Sequence, residues 1–405
     1  MAGIKRNNSN KQVSGLPASL LRIVLRLNIL WIAFAAYRNP FTAMQVLSRL
    51  IAIKRTMLGS LDNLKWMKSG GRYFWNISSP GWPSEAFKQF LILEMNRLIP
   101  LKKGTPNRLQ TLVYSITGKC PLKCEHCYEW DKLASDEHLS YEQLKQILFR
   151  FQEMGVCNVE LSGGEPLCRF ADLVSLLKDA RQGTDFWILT SGFGLDKEKA
   201  QALKLAGLTG VVVSLDHFDA EIHNRFRGNK ESYSWVWKAV QNAQDAGLAV
   251  ALSLCVTKEF LSEDNLDRYM KLAAEKGVKL VRVLEPRSVG HYLGHDIELS
   301  EEELSMLDSY FLKTSCNPAY RDYPILDYLA YYQRRLGCFG GDRYVYIDSQ
   351  GEMHACPFCQ SSAGSALAEN IEEALQKLQA RGCHKYAKAD TKTASLLKQR
   401  NNHAE

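Results

Sequence analysis

Leu109-Gln110-Thr111-Leu112-Val113-Tyr114-Ser115-Ile116 runs straight into Thr117-Gly118-Lys119-Cys120-Pro121-Leu122-Lys123-Cys124-Glu125-His126-Cys127-Tyr128. The first eight residues are apolar and β-prone, so the three cysteines sit on a loop leaving a strand. Their spacing, Cys-x3-Cys-x2-Cys, lets three thiolates hold three corners of a 4Fe–4S cube. A cube normally takes four cysteines, so a triplet leaves one iron without a protein ligand. An open position on a metal is where a small molecule binds and reacts. The bland alternative is zinc, because Cys124-x2-Cys127 is half a knuckle with His126 inside it. Zinc pairs are usually answered by a second pair close by. Here the next pair, Cys356 and Cys359, lies far along the chain.

A second motif follows the triplet. Val159-Glu160-Leu161-Ser162 is a short apolar strand that ends in Gly163-Gly164-Glu165-Pro166. Paired glycines let backbone approach a ligand closely, and a carboxylate beside them accepts hydrogen bonds from an ammonium group. Alone, such a tetrapeptide is usually a turn. Coming after the cysteine triplet with a helix-like segment between, it makes the chain resemble the radical S-adenosylmethionine superfamily, over roughly Leu109 to Cys383. That resemblance implies a 4Fe–4S cluster on Cys120, Cys124 and Cys127, with S-adenosylmethionine chelated at the open iron. It also implies that Gly163, Gly164, Glu165 and Pro166 hold the cofactor's amino group. Reductive cleavage of the sulfonium C–S bond then gives a 5′-deoxyadenosyl radical, which abstracts hydrogen from a substrate. An electron donor such as flavodoxin or ferredoxin is implied as a partner.

At 405 residues the chain exceeds what one hydrophobic core normally serves, so two or three units are expected. Eleven cysteines over this length are too dilute for a secreted disulfide scaffold, and their grouping fits metal ligation in a reducing cytosol. Cys157, Cys168, Cys255 and Cys316 stand alone and read as buried small hydrophobes. The net charge of +7 is unevenly spread: residues 1–110 carry +14 and the remainder −7.

Residues 1–105 read as a basic, mostly helical extension, 106–295 as the catalytic unit, 296–390 as a C-terminal module and 391–405 as a polar tail. Residues 1–19 have the composition of a disordered arm. Leu20 to Ile53 reads as one or two helices with Arg22, Arg26, Arg38 and Arg49 among apolar residues. The run Ile29 to Tyr37 is too short to cross a bilayer. Ala33-Phe34-Ala35 mimics a signal-cleavage site, but Arg22, Arg26 and Asn28 interrupt the apolar stretch ahead of it. Two readings stay open. In one, an amphipathic basic segment lies on an anionic membrane surface; in the other, a helical extension packs on the catalytic unit. The expected location is cytoplasmic, with peripheral contact at the inner membrane surface. Gly104-Thr105-Pro106 marks the boundary.

From Leu109 the pattern alternates. Strands are expected at Leu109–Thr117, Val156–Ser162, Phe186–Thr190, Gly210–Leu215, Leu248–Val256 and Val278–Leu284. Helices are expected at Tyr141–Met154, Phe170–Arg181, Lys197–Ala206, Tyr233–Ala246 and Glu263–Lys276. Six such alternations argue an α/β fold with a parallel sheet. The resemblance specifies a partial (β/α)6 TIM-like barrel, whose working residues sit at strand C-terminal ends. Ser214 and Asp216 close the fourth strand and, by the resemblance, contact the ribose or methionine part of the cofactor. Asp216 also reads as an ordinary helix cap. His223-Asn224-Arg225-Phe226-Arg227-Gly228 resembles a His-Asp-x-x-Arg-Gly stretch, with Asn224 in place of the acid. Arg227 is a carboxylate partner. Thr190-Ser191-Gly192 ends the third strand where relatives often have Thr-Asn-Gly, so the resemblance implies that Ser191 touches the cofactor. No acid or base for the reaction is identified; Arg287, His291 and Tyr292 are candidates by location.

Cys338, then Tyr344-Val345-Tyr346-Ile347, then the turn Asp348-Ser349-Gln350-Gly351, then Cys356-Pro357-Phe358-Cys359 read as a β-hairpin bracketed by cysteines. This resembles the opening of a SPASM or twitch module, which implies one auxiliary 4Fe–4S cluster on Cys338, Cys356, Cys359 and Cys383. Zinc in that four-cysteine site is the alternative. The substrate class is a peptide or a small metabolite, and no nucleic acid is expected. The contrasting reading is a non-catalytic zinc protein with a basic nucleic-acid- or membrane-binding arm.

Overall fold

A computed structural model describes residues 10–58, 65–103, 108–134, 136–383 and 385–386. The expected arm at 1–9, the boundary at Gly104-Thr105-Pro106 and the tail over 391–405 lie outside the described residues. The N-terminal part comprises β1 (Lys11–Val13), α1 (Gly15–Tyr37), α2 (Pro40–Leu58), β2 (Trp66–Ser69), β3 (Arg72–Phe74) and α3 (Glu85–Leu98). Order therefore begins earlier than composition suggested: β1 pairs antiparallel with β2, and α1 starts at Gly15.

The sheet strands follow as β4 (Thr111–Ser115), β5 (Asn158–Ser162), β6 (Asp185–Thr190), β7 (Gly210–Ser214), β8 (Ala249–Cys255) and β9 (Leu280–Leu284). Their crossovers are α4 (Tyr141–Glu153), α5 (Phe170–Asp179), α6 (Lys197–Leu205), α7 (Ala220–Arg227) with α8 (Ser232–Asp245), and α9 (Glu263–Glu275). After α10 (Glu301–Cys316) come β10 (Ile325–Asp327), α11 (Leu329–Leu336), β11 (Tyr344–Ile347), β12 (Met353–His354) and α12 (Ile371–Arg381).

Among the described residues these strands form one nine-stranded sheet, ordered β10-β9-β8-β7-β6-β5-β4-β11-β12. All neighbours are parallel except the β11–β12 hairpin. The six expected strands are present, each within two residues at either end. The sheet is wider than six and does not close: β10 extends one edge, and the C-terminal hairpin extends the other by pairing Tyr344 with Thr111.

Alternation along each strand separates two faces. Val159 and Leu161, Val211 and Val213, Val250 and Leu252 pack outward under the helices. The inward positions are different in kind: Ser115, Glu160, Ser162, Ser214, Ser253 and Arg282. Small and polar side chains there leave the concave side hollow toward the strands' C-terminal ends.

The N-terminal ends are filled by the N-terminal part of the chain. Met67, Phe74 and Ile77 are buried against Trp187, Val212, Ala249, Ala251, Leu280 and Ile325. The backbone of that segment is tied in as well. Asp185 Oδ2 accepts from Gly81 N at 2.9 Å, Asn158 Nδ2 donates to Ile77 O at 3.2 Å, and Asp327 Oδ2 accepts from Ile77 N at 3.2 Å. Arg72 adds an ion pair to Asp185. What reads in sequence as an extension is therefore a plug in the sheet's concave face. Beneath it, α1, α2 and α3 pack on one another through Ile32, Ala33, Val46, Phe87, Leu91 and Met95.

Candidate functional site

The cysteine loop leaves β4 and is fastened on three sides. The first fastening is the Gly163-Gly164-Glu165 turn at the end of neighbouring β5. Gly164 N donates to Thr117 O at 2.8 Å, and Glu165 N to Lys119 O at 2.7 Å. The two glycines are needed for this approach. Gly163 has φ +141, and a Cβ there would lie 2.4 Å from Thr117 O. A Cβ on Gly164 would lie 2.4 Å from Lys119 O and 2.9 Å from Cys120 Cβ. The second fastening is the end of α7, where Lys123 N donates to Arg227 O at 3.2 Å and Glu125 N to Phe226 O at 3.0 Å. The third is the loop after β9, where His291 N donates to Cys127 O at 2.9 Å. Trp130 stacks on the His291 ring at 3.9 Å, and His126 on Phe226 at 4.8 Å.

Cys120, Cys124 and Cys127 all line one cavity of about 850 Å³ on the concave face. Gly163, Gly164, Ser191, Ser214, Asp216 and Arg227 share its wall. Glu165 and Pro166 do not reach it. The Glu165 carboxylate is 1 % exposed and accepts four hydrogen bonds. They come from Thr190 Oγ1 (2.7 Å), Ser191 N (2.8 Å), Ser191 Oγ (2.6 Å) and Leu167 N (3.1 Å). The structure thus places the Glu165 side chain outside the cavity wall, bonded to neighbouring protein groups. Its lone pairs are spent bracing the end of β5 against the end of β6, which leaves backbone at Gly163-Gly164 to face the cavity.

Asp216 lines the cavity but is likewise engaged with protein groups. It is buried, and Arg227 Nε lies 2.6 Å from its Oδ2, while Oδ1 accepts from Cys255 N at 3.2 Å. Burial works to raise its carboxyl, but the Arg227 guanidinium holds it below the ordinary carboxylate range. A carboxylate committed in this way has little left for a ribose. Ser214 remains open to the cavity, with Ser253 Oγ 3.4 Å away on the next strand. Arg227 finds the carboxylate partner expected of it, and in addition its Nη1 lies 3.7 Å from Cys124 Sγ. Burial pushes the Cys124 thiol up and that of Cys127 to about 12, so a cation is what would hold them as thiolates.

The C-terminal cysteines also converge. Cys356 and Cys359 Sγ atoms are 3.4 Å apart, Gly340 N donates to Cys338 Sγ at 3.3 Å, and the Cys383 thiol hydrogen-bonds that of Cys338. No spacing rule places Cys383 in this group; the return of the chain after α12 does. The two cysteine groups are neighbours too. Tyr128, next to Cys127, meets Phe358 of the Cys356–Cys359 loop edge-on at 6.1 Å. Lys132 reaches Asp348 in the hairpin turn at 2.9 Å, and Asp348 in turn holds His354 Nε2 at 3.0 Å. Among the described residues, no three His, Cys, Asp or Glu side chains converge tightly enough for a single metal ion. Of the four isolated cysteines, Cys157 and Cys255 are buried as expected, Cys316 is half-buried, and Cys168 is exposed.

Sequence reading missed the ion network on the inward face. Arg282 grips Glu160 through two bonds of 2.6 and 2.7 Å and reaches Asp327 at 3.3 Å. The signal was available in part: Glu160 and Arg282 both occupy inward positions of their strands. It also missed Glu285 as a hub, which accepts from Tyr328 (2.7 Å) and Arg287 (3.0 Å) and pairs with Arg334. Arg287 therefore braces Glu285, and His291 braces the cysteine loop. Tyr292 does not line the cavity.

The family model described as the radical SAM superfamily matches residues 114–273, which contain both motifs. Over these residues the chain carries a radical SAM domain, the domain of enzymes that use a 4Fe–4S cluster and S-adenosylmethionine. The Mycolicibacterium smegmatis mycofactocin maturase MftC is 29% identical over 275 residues, covering 64% of this chain and 67% of that one. The Methanosarcina barkeri Fe-coproporphyrin III synthase is 32% identical over 211 residues, covering 52% of this chain and 51% of its own. The chain thus spans about two thirds of the first relative's length and half of the second's. In fold, it is similar to Streptococcus suis SuiB bound to the precursor peptide SuiA, with TM-score 0.55, 17% identity, and coverage of 70% and 68%. The neighbours share the open, partial-barrel sheet.

Proposed function

We propose that this protein is a radical SAM enzyme with an auxiliary cluster, working at the cytoplasmic face of a membrane on a peptide or small-molecule substrate. Cys120, Cys124 and Cys127 would hold the cluster that binds S-adenosylmethionine, and Cys338, Cys356, Cys359 and Cys383 the auxiliary one. When bound, the first cluster and S-adenosylmethionine supply one-electron cleavage of the sulfonium C–S bond and, through it, hydrogen-atom abstraction from carbon. The chain's own part is positioning and shielding. The glycine pair brings backbone against the cysteine loop, and the Thr190–Ser191–Glu165 hydrogen bonds keep that turn rigid. Ser191 and Ser214 present hydroxyls to the cavity, and Arg227 places a positive charge beside Cys124. The observation that carries the reading is the single cavity walled by three cysteines, two glycines and these hydroxyls at the strands' C-terminal ends. The electron would come from a small reduced donor such as flavodoxin or ferredoxin, a partner supported by the chemistry alone.

Membrane contact is supported by the outer face of α1. Leu16, Leu20, Ile23, Leu27 and Trp31 recur at helical spacing and are more than half exposed, Trp31 at 62%. Phe41 of α2 is 85% exposed as well. By length and composition α1 is a candidate to cross a bilayer. Its inner side is taken, however: Ile32 and Ala33 are buried against α3, and Asn28 accepts from Trp82 Nε1 at 2.9 Å. A helix packed on one side and apolar on the other lies in the interface.

The test is anaerobic reconstitution, iron and sulfide counting, and 5′-deoxyadenosine release under strong reductant. Two cubes require about eight irons, and a Cys120/Cys124/Cys127→Ala variant should keep about four and release no 5′-deoxyadenosine. A colourless zinc protein, inert toward S-adenosylmethionine, would overturn the proposal.

A further inference from the structure

Arg287 stands between the two cysteine groups. Its loop leaves β9 and soon reaches the catalytic side, where His291 N donates to Cys127 O at 2.9 Å. On the auxiliary side, the Phe358 ring of the Cys356–Cys359 loop lies 5.9 Å from its guanidinium. Arg287 and Phe358 both line the cavity. The Arg287 side chain is 9% exposed, and its donors are unevenly used. Nη2 donates to Glu285 Oε2 at 3.0 Å and to the Tyr386 hydroxyl. Nη1 is buried and, among the described residues, has no hydrogen-bond partner. A buried charged donor left open is costly. The group that best completes it is a carboxylate, which takes both η nitrogens side by side.

Charge points the same way. Glu285 is shared by Arg287 and Arg334, and Asp308 by Arg334 and Arg335. Three guanidiniums thus lean on two carboxylates, while neighbouring Lys385 and Glu298 neutralise each other. A neutral carbonyl would satisfy Nη1 alone; an anion would also balance the surplus charge. Tyr386 lies in the way, its ring 5.1 Å from the guanidinium and its hydroxyl on Nη2. A neutral hydroxyl is a weaker acceptor for a guanidinium than a carboxylate is, so an acid can displace it. Beside Glu285 the wall is apolar: α11, packed against β9, contributes Leu329, Tyr332 and Leu336.

Resting on the enzyme reading above, we infer that Arg287 anchors the substrate, and that the substrate carries a carboxylate on an apolar body. The carboxylate takes Nη1 and Nη2 in place of the Tyr386 hydroxyl, and the apolar part lies along Leu329, Tyr332, Leu336 and Phe358. Glu285, itself braced by Tyr328 at 2.7 Å and by Arg334, is the mount that holds the guanidinium in place. The acid is thereby held beside the loop that carries His291 to Cys127, in the cavity that the catalytic cysteines line.

The experiment uses full-length, cluster-reconstituted protein with S-adenosylmethionine and no reductant. The probe is 3-phenylpropionate, with 3-phenylpropanamide as its uncharged isostere, each titrated by ligand-observed nuclear magnetic resonance. The acid is expected to bind about tenfold more tightly than the amide. Arg287→Gln should remove that preference by weakening the acid alone, and Arg287→Lys should keep part of it. Tyr386→Phe keeps the ring, removes the competing hydroxyl, and should tighten the acid about threefold without changing the amide. Leu336→Trp, which fills the apolar wall, should weaken both. Equal binding of acid and amide by the wild type would overturn the inference. So would a preference that survives Arg287→Gln, or indifference of both probes to Leu336→Trp. Adding reductant to the same preparation reads the enzyme proposal separately. 5′-Deoxyadenosine release without an acid preference leaves that proposal standing and removes this one.

Discussion

Replacing Arg227 with Gln tests the electrostatics of the site most directly. Arg227 is 7% exposed, bonds Asp216 at 2.6 Å and sits 3.7 Å from Cys124 Sγ. At about 4 Å and an effective dielectric near 20, a unit charge is worth ~4 kcal/mol. For a one-electron couple, where ~59 mV corresponds to a tenfold change, that is a shift of up to ~0.2 V. The sign is fixed. Losing a positive charge beside a thiolate ligand favours the oxidised cluster, so the potential falls. Asp216→Asn removes the negative partner, leaves Arg227 unbalanced, and moves the potential upward by a smaller amount because Asp216 lies behind the guanidinium. Redox titration followed by electron paramagnetic resonance reads both, on the signal that changes when S-adenosylmethionine is added. Potentials that move the same way, or that stay within ~20 mV of wild type in both variants, would refute the assignment of Arg227 to the cluster's side. A stability cost accompanies the first variant, since an orphaned buried carboxylate typically costs ~3–5 kcal/mol. The Asp216→Asn/Arg227→Gln pair should recover most of it in thermal melts.

Gly164→Ala should abolish cluster loading on the catalytic side, because its Cβ meets backbone at 2.4 Å; iron counting against the cysteine variant measures this. Glu165→Ala strands four donors, at ~1–3 kcal/mol for each that finds no new partner, and should raise KM for S-adenosylmethionine more than it lowers melting temperature. His223 predicts an acid sensitivity. Burial lowers its imidazole to about 4 while its Nδ1 accepts from Asp216 N at 3.2 Å. A base depressed in the folded state gives stability that is complete above its unfolded value near 6.5 and is lost as pH falls toward 4. Linkage puts that loss at about 3 kcal/mol, and His223→Gln should flatten it in melts of the metal-free protein between pH 7 and pH 4.5.

The parts of this molecule that were legible in sequence are the local ones. Cysteine spacing, a double glycine and six apolar runs each report their own chain segment, and parallel βα alternation then places their ends together. The illegible parts are contacts between distant segments of weak local character. β10 is three residues long, too short for a period to declare itself, and β11, legible as one arm of a hairpin, gave no sign that it would pair with β4; together they set both added edges of the sheet. Met67, Phe74 and Ile77 look like turn-rich extension until the sheet's hollow face is known. Asp216 and Glu165 were read by type and position alone, which gives the chemistry a side chain is capable of. Partners in three dimensions decide what it is left free to do.

That distinction bears on how the site is built. Glu165 and Asp216 are both spent, one on hydroxyls and backbone, the other on a guanidinium. The cavity therefore meets a cofactor with backbone, hydroxyls and thiols, beside charges in its wall that are already paired, such as Asp216 with Arg227. Preorganised dipoles around a hollow, apolar-walled space suit a reaction in which little charge moves but a reactive carbon must be kept from water.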